Sequence, residues 1–166
     1  SAGDFNGDGY QDMVIGASGE DSTAAGAGAA YVIYGPMTGT QSLSTAPVKY
    51  LGEDGSNYAG RGVSAAGDLD GDGNDDLLIG APGESSAATN AGAAYVIHGP
   101  ETGVFELYYT YAKLTGEALD DGAGFTISPA GDIDADGQVD ILVGAPTESY
   151  AGFEAGAVYL IAGGQF

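Results

Sequence analysis

A 64-residue internal repeat is the sequence feature that most constrains the fold of this chain. When the 166-residue sequence is shifted by 64 positions it aligns with itself without a gap, and 32 of the 64 residues in the first copy are identical in the second. The repeat divides the chain into units 1–64, 65–128 and an incomplete 129–166. A unit of this length that recurs predicts one segment made of stacked copies of a single supersecondary structure.

Each unit contains short segments that have the character of β-strands. Two sets of equivalent segments are apolar runs next to glycine, and two further sets have a less pronounced strand pattern. Such short runs, rich in β-branched residues, favour strands covered on both faces, and no segment combines helical periodicity with capping residues. The predicted strands lie at 13–15, 77–79 and 141–143; at 30–33, 94–97 and 158–161; at 48–51 and 112–115; and at 61–66 and 125–130.

These strands predict an all-β fold made of β-propeller blades. A blade is a four-stranded antiparallel sheet that packs against the next blade, and the chain holds about 2.6 units of 64 residues. The strand order places the start of the chain after the innermost strand of one blade and its end after the third strand of another. Because fewer than three blades cannot close a ring, we expect association with copies of this chain or with further blades. The alternative fold is a sandwich of duplicated hairpins, whose strands would alternate more strictly because one face of each sheet is wet.

Three nine-residue loops, at 4–12, 68–76 and 132–140, concentrate the negative charge. Loop positions 1, 3, 5 and 9 hold 11 of the 16 aspartates, and Asn6 fills the one remaining place. Two carboxylates about 5 Å apart repel by roughly 3 kcal/mol at an effective dielectric constant near 20. Solvated acidic turns are the simpler alternative. The fixed spacing in three copies favours a bound cation instead.

Calcium fits this donor set best, so we predict three calcium sites. Calcium takes six to eight oxygen ligands, whereas magnesium demands a tighter octahedron. The loop can supply six oxygen ligands. One comes from the side chain at each of positions 1, 3 and 5, one from the backbone carbonyl at position 7, and two from a bidentate carboxylate at position 9. An EF-hand would need glutamate at position 12, where these loops have Ile15, Ile79 and Val143. The predicted ligands are Asp4, Asn6, Asp8, Tyr10 and Asp12; Asp68, Asp70, Asp72, Asn74 and Asp76; and Asp132, Asp134, Asp136, Gln138 and Asp140.

The string from Gly67 to Pro82, which reads GDLDGDGNDDLLIGAP, resembles the FG-GAP repeat of integrin α-subunit propellers. The pattern recurs with Gly144-Ala145-Pro146 and, in weaker form, with Gly16-Ala17-Ser18, while the Phe-Gly half of the motif is degraded to Arg61-Gly62 and Phe125-Thr126. The resemblance implies a propeller whose calcium loops join the first and second strands of a blade. It also implies a binding or adhesion module, outside the cell or on its surface, for a protein or glycan ligand. The alternatives are an accessory propeller domain of a secreted hydrolase or lyase, and an architectural unit of a surface layer or filament.

Composition excludes several other classes of function. The chain has 3 basic and 24 acidic residues and a net charge of −21, which argues against binding to nucleic acid or anionic membranes. It has no cysteine, so thiol chemistry is excluded, and no apolar run approaches the ~18 residues needed for membrane insertion. The single histidine, His98, allows no Ser-His-Asp set, and its repeat position predicts a solvent-facing side chain. We therefore predict a non-enzymatic protein with no catalytic residues.

The repeat also predicts roles for two further groups of residues, according to whether they follow or depart from it. Lys49 and Lys113 share one repeat position, and Glu53 and Glu117 share another, which predicts structural roles on the outer strands and at turns. Three clustered tyrosines depart from the repeat, because the first unit has serine, threonine and proline there, and they form a candidate partner surface. These are Tyr108, Tyr109 and Tyr111.

Overall fold

The computed structural model describes residues 1–164, which form eleven β-strands. The described residues contain no α-helix, only two 3-10 turns at Leu43–Thr45 and Leu107–Tyr109, so none of their helices is long and apolar enough to cross a membrane. The all-β prediction is confirmed. The strands are β1 (Met13–Ala17), β2 (Ala29–Ile33), β3 (Val48–Leu51), β4 (Gly62–Gly67), β5 (Asp76–Ala81), β6 (Ala93–Ile97), β7 (Gly103–Glu106), β8 (Ala112–Thr115), β9 (Thr126–Gly131), β10 (Asp140–Ala145) and β11 (Ala157–Ile161).

Three sheets correspond to the three repeat units. The middle sheet has the antiparallel order β4-β5-β6-β8 and is a complete blade, as the strand pattern predicted. The third sheet contains β9-β10-β11, and the first contains β1-β2-β3 with β7 added at its outer edge. We call these sheets blade two, blade three and blade one respectively. In blades two and three the register shifts where the innermost strand meets the acidic loop, at Ala65/Gly67 and at Asp140/Ile141.

Strand β7 is the element that the sequence pattern did not predict. It lies in the connection from β6 to β8 of blade two, yet it pairs in parallel with β3 of blade one, with Val48 opposite Gly103 and Leu51 opposite Glu106. The backbone N–H of Gly103 also donates to the carbonyl of Pro47 at 2.9 Å. The aligned stretch of the first unit, 39–42, is not a strand. Blade one therefore obtains its fourth strand from blade two.

The blades stack because their strands are apolar on both faces. In β5 and β6 one set of alternating residues packs towards blade one, and the other set, including Leu78 and Val96, packs against blade three. Glycine makes the close approach possible: a Cβ on Gly16 would lie 1.9 Å from the carbonyl oxygen of Gly60, and one on Gly80 would lie 1.9 Å from that of Gly124. This contact explains the glycine of the repeated Gly-Ala pair.

The outward face of blade three is uncovered among the described residues. Val96 of blade two is fully buried, whereas the equivalent Leu160 of blade three is 51% exposed. Likewise Ala94 is buried, whereas the equivalent Val158 is 68% exposed. The same repeat position therefore faces a neighbouring blade in one copy and solvent in the next.

Candidate metal centres

The three acidic loops occupy equivalent places in their blades. The loop at 68–76 joins β4 to β5, the loop at 132–140 joins β9 to β10, and the loop at 4–12 leads into β1. All three therefore lie at the same end of the strands, where the second strand of each blade begins.

The first aspartate of each loop organises the turn through backbone hydrogen bonds. Asp68 accepts from the N–H groups of Asp72 and Gly73, both at 3.0 Å, and Asp70 also accepts from Asp72 at 3.0 Å. The other two loops repeat these contacts through Asp4 and Asp132. Aspartate and asparagine favour such local contacts. The glycine at loop position 6 has a positive φ, 94° at Gly73, which a side chain would disfavour.

Two of the loops bring three carboxylates together. In each, the three residues offer oxygen atoms that all lie within 4.8 Å of one another, and these groups are Asp68, Asp70 and Asp76, and Asp132, Asp134 and Asp136. Calcium holds its oxygen ligands at 2.3–2.6 Å, so ligands on opposite sides of an ion are about 5 Å apart. The spacing and the all-oxygen donor set therefore suit calcium.

The first loop differs because an amide replaces one carboxylate. Asn6 accepts from the N–H of Asp8 at 3.0 Å through its Oδ1 and donates to the Asp8 carboxylate at 3.0 Å through its Nδ2. Its hydrogen-bond frame is otherwise the same, with Asp8 accepting from the N–H of Tyr10 at 2.9 Å. In the other loops the position-7 residues Asn74 and Gln138 make this contact at 2.8 Å.

The aspartate at loop position 9 has a second role, which the spacing alone did not predict. Asp76 is fully buried, and its two carboxylate oxygens accept from the N–H of Leu69 at 2.7 Å and of Gly99 at 3.0 Å. Asp140 makes the equivalent contacts to Ile133 and Gly163, and Asp12 accepts from the N–H groups of Asn6 and Gly35. This aspartate therefore fastens the loop to the turn that follows the third strand of the blade. Glycine at the same place in all three units was the available signal.

Burial and hydrogen bonding act in opposite directions on the pKa of these buried carboxyls. Burial raises the pKa of Asp12 and of Asp76, because water no longer stabilises the charged form and the backbone donors only partly replace it. For Asp140 the N–H groups of Gly163 and Ile133 outweigh burial and lower the pKa.

Adjacent loops also contact one another. The carboxylate of Asp75 accepts from the backbone N–H of Asp4 at 2.7 Å, and the N–H of Asp75 donates to the carbonyl of Asp4 at 3.1 Å. Asp4 is the first predicted ligand of its loop, so the second loop positions a ligand of the first. Asp75 was not among the predicted site residues, since the other units have Gln11 and Val139 at this place.

His98 does not face solvent, so that expectation was wrong. Its Nδ1 lies 2.9 Å from a carboxylate oxygen of Asp70, and its ring stacks on Tyr111 with a centroid distance of 4.3 Å. Its side chain is only 17% exposed. The connection around β7 brings Tyr111 over the imidazole, and this contact depends on residues that the other units lack.

A polar cluster joins blades one and two. Glu53, which follows β3, accepts from the Tyr95 hydroxyl at 2.8 Å and from the Lys113 ammonium at 2.9 Å. Lys113 also donates to Glu84 at 3.0 Å. Burial alone would lower the pKa of Lys113, but these carboxylates raise it, while burial and Glu53 together raise the pKa of Tyr95. Both lysines and Glu53 thus make contacts within or between blades, whereas Glu117 is exposed.

Stacked sheets of three or four strands, with acidic loops at one end, define a β-propeller segment with candidate metal loops. The family model described as the FG-GAP repeat matches residues 1–33, 59–97 and 123–161. The chain therefore belongs to the FG-GAP repeat family.

Integrin α-subunits are among the curated proteins that this chain resembles. The chain is 38% identical over 113 residues to integrin alpha pat-2 of Caenorhabditis elegans, a match that covers 62% of this chain and 9% of that protein. It is 32% identical over 150 residues to integrin alpha-4 of Xenopus laevis, which covers 87% of this chain and 14% of the relative. It is 30% identical over 159 residues to integrin alpha-6 of Gallus gallus, with 95% and 14% covered. The chain thus spans about a tenth of the length of these relatives.

Proposed function

We propose that this chain is a calcium-stabilised segment of an integrin-like adhesion propeller, which binds a protein or glycan ligand outside the cell or on its surface. The main support for this proposal is the FG-GAP match to all three units, together with relatives named as integrin α-subunits. These relatives favour a non-enzymatic adhesion module over an accessory domain of a hydrolase or lyase.

Calcium would be held by the loop side chains at positions 1, 3, 5 and 9 and by the backbone carbonyl at position 7. When bound, the ion offsets the repulsion between converging carboxylates and fastens the loop to the strands on either side. The chain's own contacts support this role. Asp68 holds the turn, Asp76 ties the loop to Gly99, and Asp75 links the loops of blades one and two.

The first prediction is that calcium stabilises the fold. An ion that binds only the ordered loop stabilises it by about 2.7 kcal/mol per site at a concentration 100 times its Kd. Calorimetric titration of the chelated chain should show heat, and the melting temperature should rise with millimolar calcium and fall again with chelator. Absence of both changes would contradict the proposal.

A matched pair of variants assigns the effect to the loops. Asp72→Asn removes a carboxylate from the second loop, whereas Asp54→Asn removes one from an exposed position outside the loops. The loop variant should lose one site, and the control should keep all of them. Equal behaviour of the two variants would show that the calcium response comes from general charge screening.

The adhesion part of the proposal has a separate test. The calcium-loaded chain should be captured by some members of an array of matrix proteins and glycans, and chelator should abolish the capture. Cleavage of an arrayed glycan or protein, in place of stable binding, would favour an enzymatic role.

A further inference from the structure

The first acidic loop contains the only Asn-Gly pair of the sequence, at Asn6 and Gly7. In such a pair the backbone nitrogen of the second residue can reach the side-chain amide carbon of the first, because glycine has no side chain in the way. Attack at that carbon starts deamidation, which converts the amide to a carboxylate. Gly7 is exposed and Asn6 is half-buried, so the pair is accessible to the water that this reaction consumes.

The backbone nitrogen that attacks is weakly held in the first loop. The N–H of Gly7 donates to the carbonyl of Asp4 at 3.4 Å, which is beyond the usual range of such bonds. In the second loop the equivalent N–H of Gly71 donates to the Asp68 carboxylate at 2.7 Å. The nitrogen of Gly7 is therefore the freer of the two.

Asp8 contacts both polar atoms of the Asn6 amide. Its backbone N–H donates to Oδ1 of Asn6 at 3.0 Å, and its carboxylate accepts from Nδ2 at 3.0 Å. Negative charge develops on Oδ1 when a nitrogen adds to the amide carbon, and a fixed N–H donor stabilises that charge. Nδ2 is the atom that leaves. The loop thus holds the amide at both ends and leaves the adjacent backbone nitrogen available.

The other asparagines of the sequence lack this arrangement. They are followed by tyrosine, aspartate and alanine, whose side chains hinder attack by the backbone nitrogen, and they are Asn57, Asn74 and Asn90. The third loop has Ala135 where the first has Gly7. The chain therefore offers one reactive amide and three internal controls.

We propose that the folded chain deamidates itself at Asn6. The nitrogen of Gly7 forms a bond to Cγ of Asn6 and gives up its proton, and Nδ2 takes up a proton and leaves as ammonia, so a five-membered imide remains. Water then opens the imide at one of its two carbonyls. Cleavage between Cγ and the Gly7 nitrogen gives aspartate, and cleavage at the other carbonyl gives isoaspartate. The net reaction consumes water and releases ammonia, and no electrons are transferred.

The two products have opposite consequences, and these consequences rest on the proposed calcium role. Asn6 fills loop position 3, where the other loops have Asp70 and Asp134. Aspartate at this place gives the first loop the same four carboxylates as the other two, and the charge of the ligands tunes calcium affinity. Isoaspartate lengthens the main chain of the loop by a methylene group and displaces the ligands that follow. The first loop thus changes with the age of the molecule.

The test is peptide mapping by mass spectrometry after incubation at pH 8 with chelator. The folded chain is incubated until a sample unfolded in urea has lost most of its Asn6 amide, and isoaspartyl methyltransferase labelling detects the second product. We expect the folded chain to lose the amide of Asn6 and to keep those of Asn57, Asn74 and Asn90. Persistence of Asn6 in the folded chain, or loss of Asn90 at the same rate, would overturn the inference.

Two variants locate the chemistry at the pair. Gly7→Ala places a methyl group beside the attacking nitrogen and should reduce the loss of the Asn6 amide to the level of Asn90. The third loop accommodates Ala135 at this place with a φ of 63°, and an unchanged melting temperature would show that the variant folds. Asn6→Gln, which would need a six-membered ring, should stop the release of ammonia. Undiminished release from either variant would refute the mechanism.

The calcium consequence has a separate test. Asn6→Asp reproduces the aspartate product and should tighten one calcium site about tenfold. Asn90→Asp adds the same charge at an exposed position outside the loops and should leave the affinities unchanged. Equal affinities of the two variants would refute this consequence. Absence of calcium binding in both would overturn the proposed calcium role, while the peptide map would still decide the deamidation.

Discussion

At the scale of single residues, the buried aspartate that ends each acidic loop combines two tasks. Asp76 lies within the carboxylate cluster and also satisfies the buried N–H groups of Leu69 and Gly99. Asp72 lies in the same loop but is exposed, and its contacts are local. Ion binding and scaffold stability can therefore be separated by changing one residue or the other.

We predict that Asp76→Ala destabilises the chain even without calcium, whereas Asp72→Ala acts mainly through calcium. Removing Asp76 leaves two backbone donors unsatisfied, which costs about 2–4 kcal/mol. Removing Asp72 leaves solvent-exposed groups and should change the calcium-free stability by less than about 1 kcal/mol. Urea unfolding in the presence of chelator measures both values. Equal losses would contradict the tethering role of Asp76.

The polar cluster around Glu53 predicts a dependence on alkaline pH. The pKa values of Lys113 and Tyr95 are raised in the folded chain, so their contribution is complete below the unfolded values near 10 and is lost as the pH rises through the folded values. Glu53→Gln should cost about 2 kcal/mol of unfolding free energy at pH 8. The difference between the variant and the original chain should shrink towards pH 11.

The repeat provides a matched control for this prediction. Glu117 occupies the same repeat position but is exposed and makes no ion pair within residues 1–164. Glu117→Gln should therefore change the stability by no more than about 0.5 kcal/mol at either pH. A cost as large as that of Glu53→Gln would mean that the lysine contact is unimportant.

At the scale of elements, the local sequence pattern predicted the positions of strands, because these depend on residues that are close together in the chain. Glycine-bounded apolar runs located β1, β2 and their repeats to within a few residues, because strand formation and turns depend on neighbouring residues. Three features that the pattern did not predict join residues far apart in the chain. They are the pairing of β7 with β3, the contact of His98 with Asp70 and the link from Asp75 to Asp4. These features arise from side chains that differ between units, so alignment of the repeats concealed them.

We predict that β7 stabilises blade one through one face only. Phe105 packs against Tyr50, whereas Val104 on the same strand is 67% exposed. Phe105→Ala should cost about 2–3 kcal/mol and increase amide exchange in β3, while Val104→Ala should change either quantity little. Urea unfolding and hydrogen exchange followed by NMR measure these effects. Unchanged exchange in β3 of the Phe105 variant would show that β7 contributes little to blade one.

At the scale of the whole molecule, the uncovered face of blade three predicts association. The equivalent face of blade two is buried by a neighbour, and Leu160 and Val158 expose apolar surface at that place. The net charge of −21 opposes contact between copies, and three bound calcium ions would reduce it to −15. We therefore expect calcium to promote either self-association or packing against further blades.

Light scattering in calcium tests this expectation. The chain should exceed its monomer mass of 16.4 kDa, and Leu160→Glu should restore the monomer by placing charge on the apolar face. Tyr150→Glu, at a fully exposed loop position outside that face, serves as the control and should still associate. A monodisperse, cooperatively unfolding 16.4 kDa monomer would refute the prediction.

The transfer of β7 to blade one has a mechanical consequence. The covalent link at 52–61 leads to the innermost strand of blade two, whereas β7 departs from between its outer strands. Blade two is thus connected to blade one twice, by the covalent link near its inner edge and by the β3–β7 pairing near its outer edge. A torque about the link has to shear the β3–β7 pair before the blades can rotate.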